Sequence, residues 1–299
     1  MSAELIGHFE VESPEWHAAR AKGLGGSEIA AVLGLSKWAS RYSLWHEKKG
    51  LMPERVQNKV MTVGKYVEPA TVAWFLDQHP EFAARFGGTY RSTERPWQVA
   101  NPDGQLEATP LDPIPEALLE VKFAIYDYEW GAEGTDEIPP YYLAQCRWYL
   151  DVFGLDTCYV AVLFGGSGRF AEYVVKQDAA DLQLMRAEGK AFMDSLERNE
   201  RPDIDAHGAT YEVLRETAAG VGSGDIEISQ EVAYQYLTAK ANLDAAKTAM
   251  QFASNRVLGL LNDTDCKRAV CNGRPIAYKT KRGEGTPYLQ ASPQPKEAA

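Results

Sequence analysis

The segment covering residues 117–123 restricts the fold of this chain more than any other. Its apolar residues alternate with Glu120 and Lys122. A period of two predicts a β-strand, because successive side chains of a strand point to opposite faces. A strand with one buried face rarely presents Glu and Lys on the other without a purpose, so this polar face is a candidate site. An exposed salt bridge between Glu120 and Lys122, which would stabilise the chain little, is the plainer alternative.

Helical patterns and further strands surround this segment and predict a mixed α/β fold. Ser13-Pro14-Glu15 is typical of a helix start, and Ser40 is a candidate cap for a helix that ends before Gly50. The other predicted helices cover residues 28–33, 60–75, 139–153 and 178–198. The other predicted strands cover residues 88–99, with a break at Pro96, 157–163 and 171–175.

The C-terminal third has a different pattern and predicts a separate unit. We expect a first domain over residues 1–205, a linker over 206–228, a helix and hairpin over 229–285, and a disordered tail over 286–299. Asn272-Gly273 is typical of a hairpin turn. Apolar residues at spacings of four and three predict a long helix with a narrow seam. These are Val232, Tyr236, Ala239, Leu243, Ala246, Met250, Ala253, Val257 and Leu260. The seam could pair with itself, with a partner helix or with the first domain.

The composition excludes several classes of protein. Of 299 residues, 45% are hydrophobic and 24% are charged, as in ordinary globular domains. No run approaches the roughly 18–20 apolar residues that span a membrane, and residues 1–15 lack the basic and apolar regions of a signal peptide. We therefore expect no integral membrane protein, secreted disulfide scaffold or disordered chain.

Cysteine and histidine spacing argues against a zinc or iron–sulfur site. The four cysteines show no CxxC pair, and the five histidines form no HxxxH or HxH pair. Reduced thiols in a cytoplasm are the expected state of the cysteines. A metal ion in this chain would therefore be held by carboxylates.

The net charge of −11 argues against nucleic-acid binding, but its distribution does not. Residues 20–59 contain eight basic and three acidic residues, and residues 266–282 contain six basic residues and no acidic one. A binding face is local, so an acidic chain can still present a basic surface to DNA.

Asp103 precedes Glu120 by 17 residues, in a Pro-Asp-Gly turn. An Asp and a Glu from neighbouring strands can share one hard divalent cation through oxygen ligands. A lysine beside them can orient the attacking water or stabilise the charge that develops on a phosphate. Each element alone is common, whereas the combination is rare.

Pro102-Asp103 followed by Glu120-Val121-Lys122 resembles the PD-(D/E)xK pattern of metal-dependent nucleases. With three further blocks in order, the chain resembles the YqaJ-type viral recombinase family, to which the phage lambda exonuclease belongs, over roughly residues 12–200. The blocks are Trp16 to Arg20 with Gly25-Gly26-Ser27-Glu28, Gly64 to Pro69, Asn101 to Gly104 with Leu119 to Lys122, and Tyr142 to Tyr149.

The resemblance implies a restriction-endonuclease-like core, in which helices flank a mixed central sheet. It implies Mg²⁺-dependent 5′-to-3′ digestion of one strand of linear duplex DNA, which leaves a 3′ tail. Two Mg²⁺ ions, replaceable by Mn²⁺, would be bound by Asp103, Glu120, the Val121 carbonyl and Glu68. Lys122 would position the nucleophilic water, and Gln145 would hold that water or the scissile phosphate. A solvent-exposed helix acid is the alternative role for Glu68.

Gly25-Gly26-Ser27 precedes a helix, so its free N–H groups and the Ser27 hydroxyl predict an anion site that Arg20 could reach. The resemblance implies that this Arg and Ser bind the terminal 5′-phosphate. Otherwise Ser27 is an ordinary helix cap and Arg20 a solvated side chain. Of the aromatic residues, Trp16, Trp38 and Tyr142 are the candidate DNA contacts.

The resemblance also implies partners and an assembly. It implies a phage or prophage protein in the bacterial cytoplasm that binds duplex DNA ends and supplies 3′ tails to a single-strand annealing protein. It further implies a ring-shaped trimer. Two other functions stay open: a PD-(D/E)xK endonuclease or RecB-like nuclease that acts on structured DNA, and a non-catalytic scaffold that binds DNA ends.

Overall fold

The computed structural model describes residues 2–9, 13–52, 59–108 and 114–292. The chain forms two compact units, residues 1–221 and residues 222–299. Within the described residues, no helix is long and apolar enough to cross a membrane.

The first unit contains nine strands and seven helices among its described residues, and this confirms the predicted mixed α/β class. The strands are β1 (Ala3–Gly7), β2 (Leu24–Gly25), β3 (Ala83–Phe86), β4 (Thr89–Ser92), β5 (Gln98–Ala100), β6 (Gly104–Glu107), β7 (Ala117–Ala124), β8 (Thr157–Phe164) and β9 (Arg169–Lys176). The helices are α1 (Pro14–Ala21), α2 (Gly26–Val32), α3 (Arg41–Lys48), α4 (Lys59–Gln78), α5 (Pro140–Phe153), α6 (Ala179–Glu197) and α7 (Gly208–Glu216).

The alternating segment forms β7, the middle strand of a five-stranded mixed sheet. The strand order is β3-β6-β7-β8-β9, and β7 is parallel to β8, whereas the other pairs are antiparallel. The β6–β7 ladder ends where Gly104 pairs with Leu119. The turn before β6 therefore lies beside the second half of β7.

Both faces of β7 are covered, so the expectation of one buried face and one polar face is wrong. Leu119 packs on α4 in an apolar cluster with Phe75, and Leu118 on the other face belongs to the main core. Glu120 shares that second face and is only 2% exposed. The polar face is thus an interior surface that α5 covers, rather than a solvated one.

A second, four-stranded sheet has the order β1-β4-β5-β2. The strand predicted over residues 88–99 is in fact two antiparallel strands, β4 and β5, with residues 93–97 between them. β1 was not predicted from the sequence. It pairs with β4, and this contact between distant segments has no local sequence signal.

Helix capping follows the sequence. The side chains of Ser13 and Ser40 accept hydrogen bonds from Trp16 N and Ser43 N and cap α1 and α3. The helix predicted over residues 28–33 begins two residues earlier, at Gly26. α5 ends at Gly154 in the left-handed conformation, which glycine adopts without steric cost.

The predicted linker over residues 206–228 contains α7, so the prediction is wrong for Gly208–Glu216. Thr210 and Val213 of α7 are buried. The Thr210 hydroxyl lies 2.7 Å from Ser40 Oγ, at the start of α3. α7 therefore packs on the first unit instead of connecting to the second as free chain.

The second unit consists of α8 (Gln230–Asp263), β10 (Arg268–Cys271), β11 (Arg274–Thr280) and β12 (Tyr288–Ala291). The hairpin turn at Asn272-Gly273 is confirmed, and both residues have positive φ angles, 50° and 76°. The expectation of a disordered tail over 286–299 is wrong for β12, which pairs with β11. Residues 293–299 lie outside the described residues.

The predicted long helix with a narrow seam is α8. Ser229 caps its start, and Leu261 is the one residue of α8 that is buried among those described. The large seam residues Val232, Tyr236, Leu243, Met250 and Leu260 are each more than half exposed.

Candidate active site

Asp103 lies in the turn between β5 and β6, next to the middle of β7. Its Oδ2 accepts a hydrogen bond of 2.7 Å from the Val121 N–H. This N–H is available because the β6–β7 ladder ends two residues earlier, at Leu119. The backbone of β7 therefore fixes the position of the Asp103 carboxylate.

Glu120 and Lys122 project from the same face of β7 toward α5. Lys122 Nζ donates to Glu120 Oε1. Gln145 Nε2, from α5, donates to the same oxygen at 2.6 Å. Lys122 Nζ also lies 4.9 Å from the ring centroid of Tyr142 on α5. We call Asp103, Glu120, Lys122 and Gln145 the Lys122 cluster. These four residues come from three elements and converge at one interface.

Burial is the largest influence on the pKa values in the Lys122 cluster. It raises the pKa of Asp103. Together with repulsion from Asp103, it raises the pKa of Glu120 to about 8. Burial opposes the charged form of Lys122 as well, but attraction to Glu120 and Asp103 outweighs it and raises the pKa of that amine. The charge of Lys122 lowers the pKa of both carboxyls, but it does not outweigh their burial.

The Lys122 cluster fits a divalent cation with an open coordination sphere. Glu120 Oε2 is buried and has no hydrogen-bond partner, although a buried polar atom normally has one. Mg²⁺ usually takes one or two protein carboxylates, and it fills its other positions with water and substrate phosphate. Asp103 and Glu120, with the Val121 carbonyl beside them, provide the two carboxylates of such a site.

Glu68 lies on α4 and is exposed. Partial desolvation of its carboxyl and repulsion by Asp103 raise its pKa, so Glu68 lies near enough to Asp103 for their charges to interact. Among the described residues, however, no three Asp, Glu, His or Cys side chains converge closely enough to hold a cation. The structure therefore does not bring Glu68 into one ligand set with Asp103 and Glu120.

A second group of polar residues surrounds Arg20, at the end of α1. Arg20 donates to Ser27 Oγ at 3.1 Å and to Asn101 Oδ1 at 3.5 Å, and it stacks 4.4 Å above the ring of Trp16. Its side chain is 13% exposed. Arg20 and Ser27 thus lie close enough to reach one anion, as predicted, and the alternative of a freely solvated Arg20 is wrong.

One of the backbone N–H groups expected to form the anion site at the start of α2 is already occupied. α2 has only seven residues, and its Gly25 N–H already donates to Glu28 Oε2 at 2.7 Å. Glu28 in turn forms an ion pair of 2.8 Å with Lys48 from α3. Lys48 and Arg20 outweigh the opposite effect of burial and lower the pKa of Glu28. We call Arg20, Ser27, Glu28 and Lys48 the Arg20 pocket; its positive charge comes from side chains.

Tyr149 connects the Arg20 pocket with the Lys122 cluster. Gln145 Nε2 donates to Tyr149 OH at 3.2 Å. The ring of Tyr149 packs on Gly26, where an added Cβ would lie 2.4 Å from Cε1. A glycine is required at this position because a larger residue would collide with the ring. α2 and α5 therefore hold the two polar groups at a fixed separation.

The three aromatic candidates for DNA contact have different surroundings. Trp16 covers Arg20, and the Tyr142 ring faces Lys122. Trp38 is 59% exposed, and its ring centroid lies 4.9 Å from that of Tyr141. Trp38 is thus the most accessible of the three for stacking on a base.

Sequence reasoning missed Lys48, Asn101 and Tyr149. Asn101 belongs to the Asn-Pro-Asp-Gly turn and Tyr149 to the α5 block, so both were within quoted motifs but had no assigned role. Lys48 had no local signal, because a lysine in the last turn of a helix is common. Its contacts with α1 and Glu28 exist only in the folded chain.

Residues 15–156 match the family model of the YqaJ-like viral recombinase domain. They contain both the Arg20 pocket and the Lys122 cluster. In sequence, residues 15–156 are therefore similar to a YqaJ-like viral recombinase domain. The uncharacterized protein YqaJ of Bacillus subtilis (strain 168) is 26% identical over 270 residues, which are 87% of this chain and 82% of that protein.

The chain also resembles solved structures. Two crystal structures of LHK-Exo, an alkaline exonuclease from Laribacter hongkongensis, match with TM-scores of 0.51 and 0.52; the second is a complex with dAMP. The identities are 22% and 21%, and each match covers 63% of this chain and 94% of the other. At this level of identity, the likeness establishes the fold.

Proposed function

We propose that the chain is a metal-dependent exonuclease that degrades one strand of linear duplex DNA in the 5′-to-3′ direction and leaves 3′ tails. The observation that carries this proposal is the buried Lys122 cluster, in which two carboxylates and a lysine meet and one carboxylate oxygen has no partner. A buried carboxylate oxygen in a purely structural role normally has a hydrogen-bond donor, whereas a metal-assisted phosphodiesterase uses such an oxygen to bind a cation.

Mg²⁺ is the expected metal, with Mn²⁺ as a substitute. Asp103, Glu120 and the Val121 carbonyl would hold it, and Glu68 would serve a second ion. When bound, the metal supplies Lewis-acid activation of the phosphodiester and a water of lowered pKa. The raised pKa of Glu120 supports this assignment, since a cation would relieve the repulsion between the two buried carboxylates.

The remaining residues of the Lys122 cluster position the reactants. Lys122 keeps its proton, because its pKa is raised, and its ammonium orients the nucleophilic water and stabilises charge on the phosphate. Gln145 donates to the Glu120 oxygen that Lys122 also contacts. This arrangement leaves the other oxygen of Glu120 directed away from both donors.

The Arg20 pocket would set the polarity of digestion by binding the terminal 5′-phosphate. Arg20 and Ser27 are already paired, and Arg20 has the planar set of N–H donors that suits a phosphate. The contact of Gly26 with Tyr149 supports a fixed distance from the bound end to the reacting phosphodiester.

The same proposal covers the biological setting. A single-strand annealing protein would receive the 3′ tails during phage-type recombination in the cytoplasm of a bacterial host. A ring-shaped trimer would enclose the duplex, and light scattering of the purified protein would measure this stoichiometry. A trimer suits an acidic chain whose basic residues cluster locally.

Digestion of linear duplex DNA with Mg²⁺ tests the proposal. Wild type, Lys122→Ala and Arg20→Ala are compared on ends that carry a 5′-phosphate or a 5′-hydroxyl. We expect Lys122→Ala to lower the rate by about 100-fold or more. Arg20→Ala should abolish the preference for the phosphate. Lys176→Ala and Lys22→Ala, which remove exposed lysines, are the controls and should behave as wild type.

Three results would contradict the proposal. Cutting of covalently closed circles would indicate an endonuclease. No cleavage with Mg²⁺ or Mn²⁺, together with retained binding of DNA ends, would indicate a scaffold. Full activity of Lys122→Ala would remove the Lys122 cluster as the active site.

A further inference from the structure

Lys48 is a buried lysine at the end of α3, and its side chain is 5% exposed. Its Nζ donates to the carbonyl oxygens of Arg20 and Gly23, at 3.0 and 2.8 Å. It also forms the 2.8 Å ion pair with Glu28 Oε1. A lysine is rarely buried to this degree unless its charge is paired. Each of its three donors has a partner in or beside the Arg20 pocket.

Glu28 lies between two cations. Its Oε1 is 2.8 Å from Lys48 Nζ and 3.7 Å from an Arg20 terminal nitrogen. Its Oε2 accepts from the Gly25 N–H. The acidic side chain would therefore neutralise Arg20 if Lys48 did not compensate it. With Lys48, the three ionised groups sum to one positive charge, and without Lys48 they sum to zero.

The net charge of Arg20, Glu28 and Lys48 affects phosphate binding strongly because the Arg20 pocket is largely removed from solvent. The exposed fractions of Arg20, Glu28 and Lys48 are 13%, 15% and 5%. Water screens charges at such positions far less than on an open surface, so a nearby carboxylate reduces the attraction of a phosphate to Arg20 substantially.

We propose that Lys48 is a positioning residue that controls the selectivity for a phosphorylated DNA end: by compensating Glu28, it leaves the charge of Arg20 available to a terminal phosphate monoester. This inference rests on the proposed role of the Arg20 pocket. Lys48 touches neither the phosphate nor the reacting atoms and acts through Glu28 and Arg20.

The competing explanation is that Lys48 only fastens the end of α1, through the carbonyl oxygens of Arg20 and Gly23. The two explanations differ in their response to removal of the acid. If the role of Lys48 is electrostatic, neutralising Glu28 will compensate for the loss of Lys48. If it is only mechanical, neutralising Glu28 will not.

The experiment measures competition between 5′-phosphorylated and 5′-hydroxyl duplex ends for the protein without added metal, so that no cleavage is needed. Four variants are compared with wild type: Lys48→Met, Glu28→Gln, the double variant and Lys49→Met. Lys49→Met is the matched control, since this lysine is the next residue and is exposed.

We expect Lys48→Met to reduce the preference for the phosphate roughly tenfold, the factor that one charge-assisted hydrogen bond accounts for. The double variant should recover most of the preference, because the amide oxygen introduced by Glu28→Gln can still accept from the Gly25 N–H. Glu28→Gln alone should strengthen the preference by roughly threefold or more, and Lys49→Met should not change it.

Unchanged preference in Lys48→Met, or a double variant as defective as Lys48→Met, would overturn the proposal. If Lys48→Met does not fold, a Glu28→Gln protein with no gain in preference would overturn it as well. Loss of nuclease activity would not affect this binding assay. A wild type that prefers phosphorylated ends but never cleaves DNA would contradict the proposed function while leaving the inference on Lys48 intact.

Discussion

Two helices of this chain, α5 and α8, show opposite relations between sequence and environment. Ten of the fourteen residues of α5 are buried, and they include the polar residues Gln145 and Asp151. α8 has 34 residues and buries Leu261 alone among them. α8, which has the regular apolar seam, is exposed. α5, whose buried residues are both apolar and polar, is enclosed by the rest of the first unit.

The difference shows that the two helices are stabilised by different interactions. α5 is stabilised by tertiary packing, so it can contain β-branched and aromatic residues and buried polar groups. The stability of α8 depends on its alanine-rich composition and on the Ser229 cap, because tertiary packing buries only Leu261. Substitutions of the same type in the two helices should therefore have unequal effects.

Removal of a large side chain should give the greatest difference in lost stability between α5 and α8. Trp148 of α5 is fully buried, and its Nε1 donates to the carbonyl oxygens of Leu24 and Val99. Trp148→Ala should lower the free energy of unfolding of the first unit by about 3–5 kcal/mol. Met250→Ala in α8 should change the local stability by less than about 0.5 kcal/mol.

Hydrogen exchange in peptides of each helix measures these two effects separately. A large loss of protection in α8 after Met250→Ala would contradict the comparison. It would mean that a second copy or a partner covers the seam in solution.

Neutralisation of an acid should give the next largest difference. The Asp151 carboxylate is 2% exposed and contacts Arg186, Arg95 and Gln98. Asp151→Asn should destabilise the first unit by about 2 kcal/mol, because it leaves buried donors without a charge partner, although Arg186 can still reach water. Asp244→Asn in α8, which breaks an exposed pair with Lys240, should cost about 0.5 kcal/mol or less. Denaturant titration of each variant measures the two losses, and equal losses would show that burial is not the cause.

Addition of one methyl group should give the smallest difference in stability between the two regions. The change should be destabilising at Gly26 and stabilising at Gly259. Gly26→Ala forces a Cβ against the Tyr149 ring of α5 and should destabilise the first unit by about 1–2 kcal/mol. It should also lower nuclease activity, since Tyr149 accepts from Gln145. Gly259→Ala in α8 meets no atom within 4 Å and should stabilise that helix by up to about 1 kcal/mol. Thermal melts and hydrogen exchange distinguish the two, and a stabilising Gly26→Ala would disprove the contact.

Most of the fold could be predicted because its signals are local. Caps such as Ser13 and Ser40, the α8 seam and the Asn272-Gly273 turn involve residues within a few positions of one another. The sequence analysis missed β1, β2, β3, β6, β12 and the packing of α7, since each depends on contacts with another segment of the chain. The buried polar face of β7 was missed for a related reason: alternation indicates two faces but not what covers them.

The candidate site also has features that the sequence predicted and features that depend on the folded chain. Asp103, Glu120 and Lys122 were predicted from their types and order, Gln145 from the family resemblance, and Arg20 with Ser27 from a block around glycines. The sequence could not indicate that the Gly25 N–H is already occupied by Glu28, or that Lys48 compensates Glu28. Both facts depend on how α1, α2 and α3 pack.

The sequence by itself determined the helices and strands that have local signals, because periodicity and capping are properties of neighbouring residues. Motif order and the family resemblance indicated the residues of the proposed chemistry. Only the tertiary structure decided the environments of those residues. It buried Glu120 and left one oxygen without a partner, it enclosed Arg20 between Trp16 and Glu28, and it left the seam of α8 exposed. The physical reason is that burial and charge compensation depend on distances between side chains that are far apart in the chain, and these distances exist only after the chain has folded.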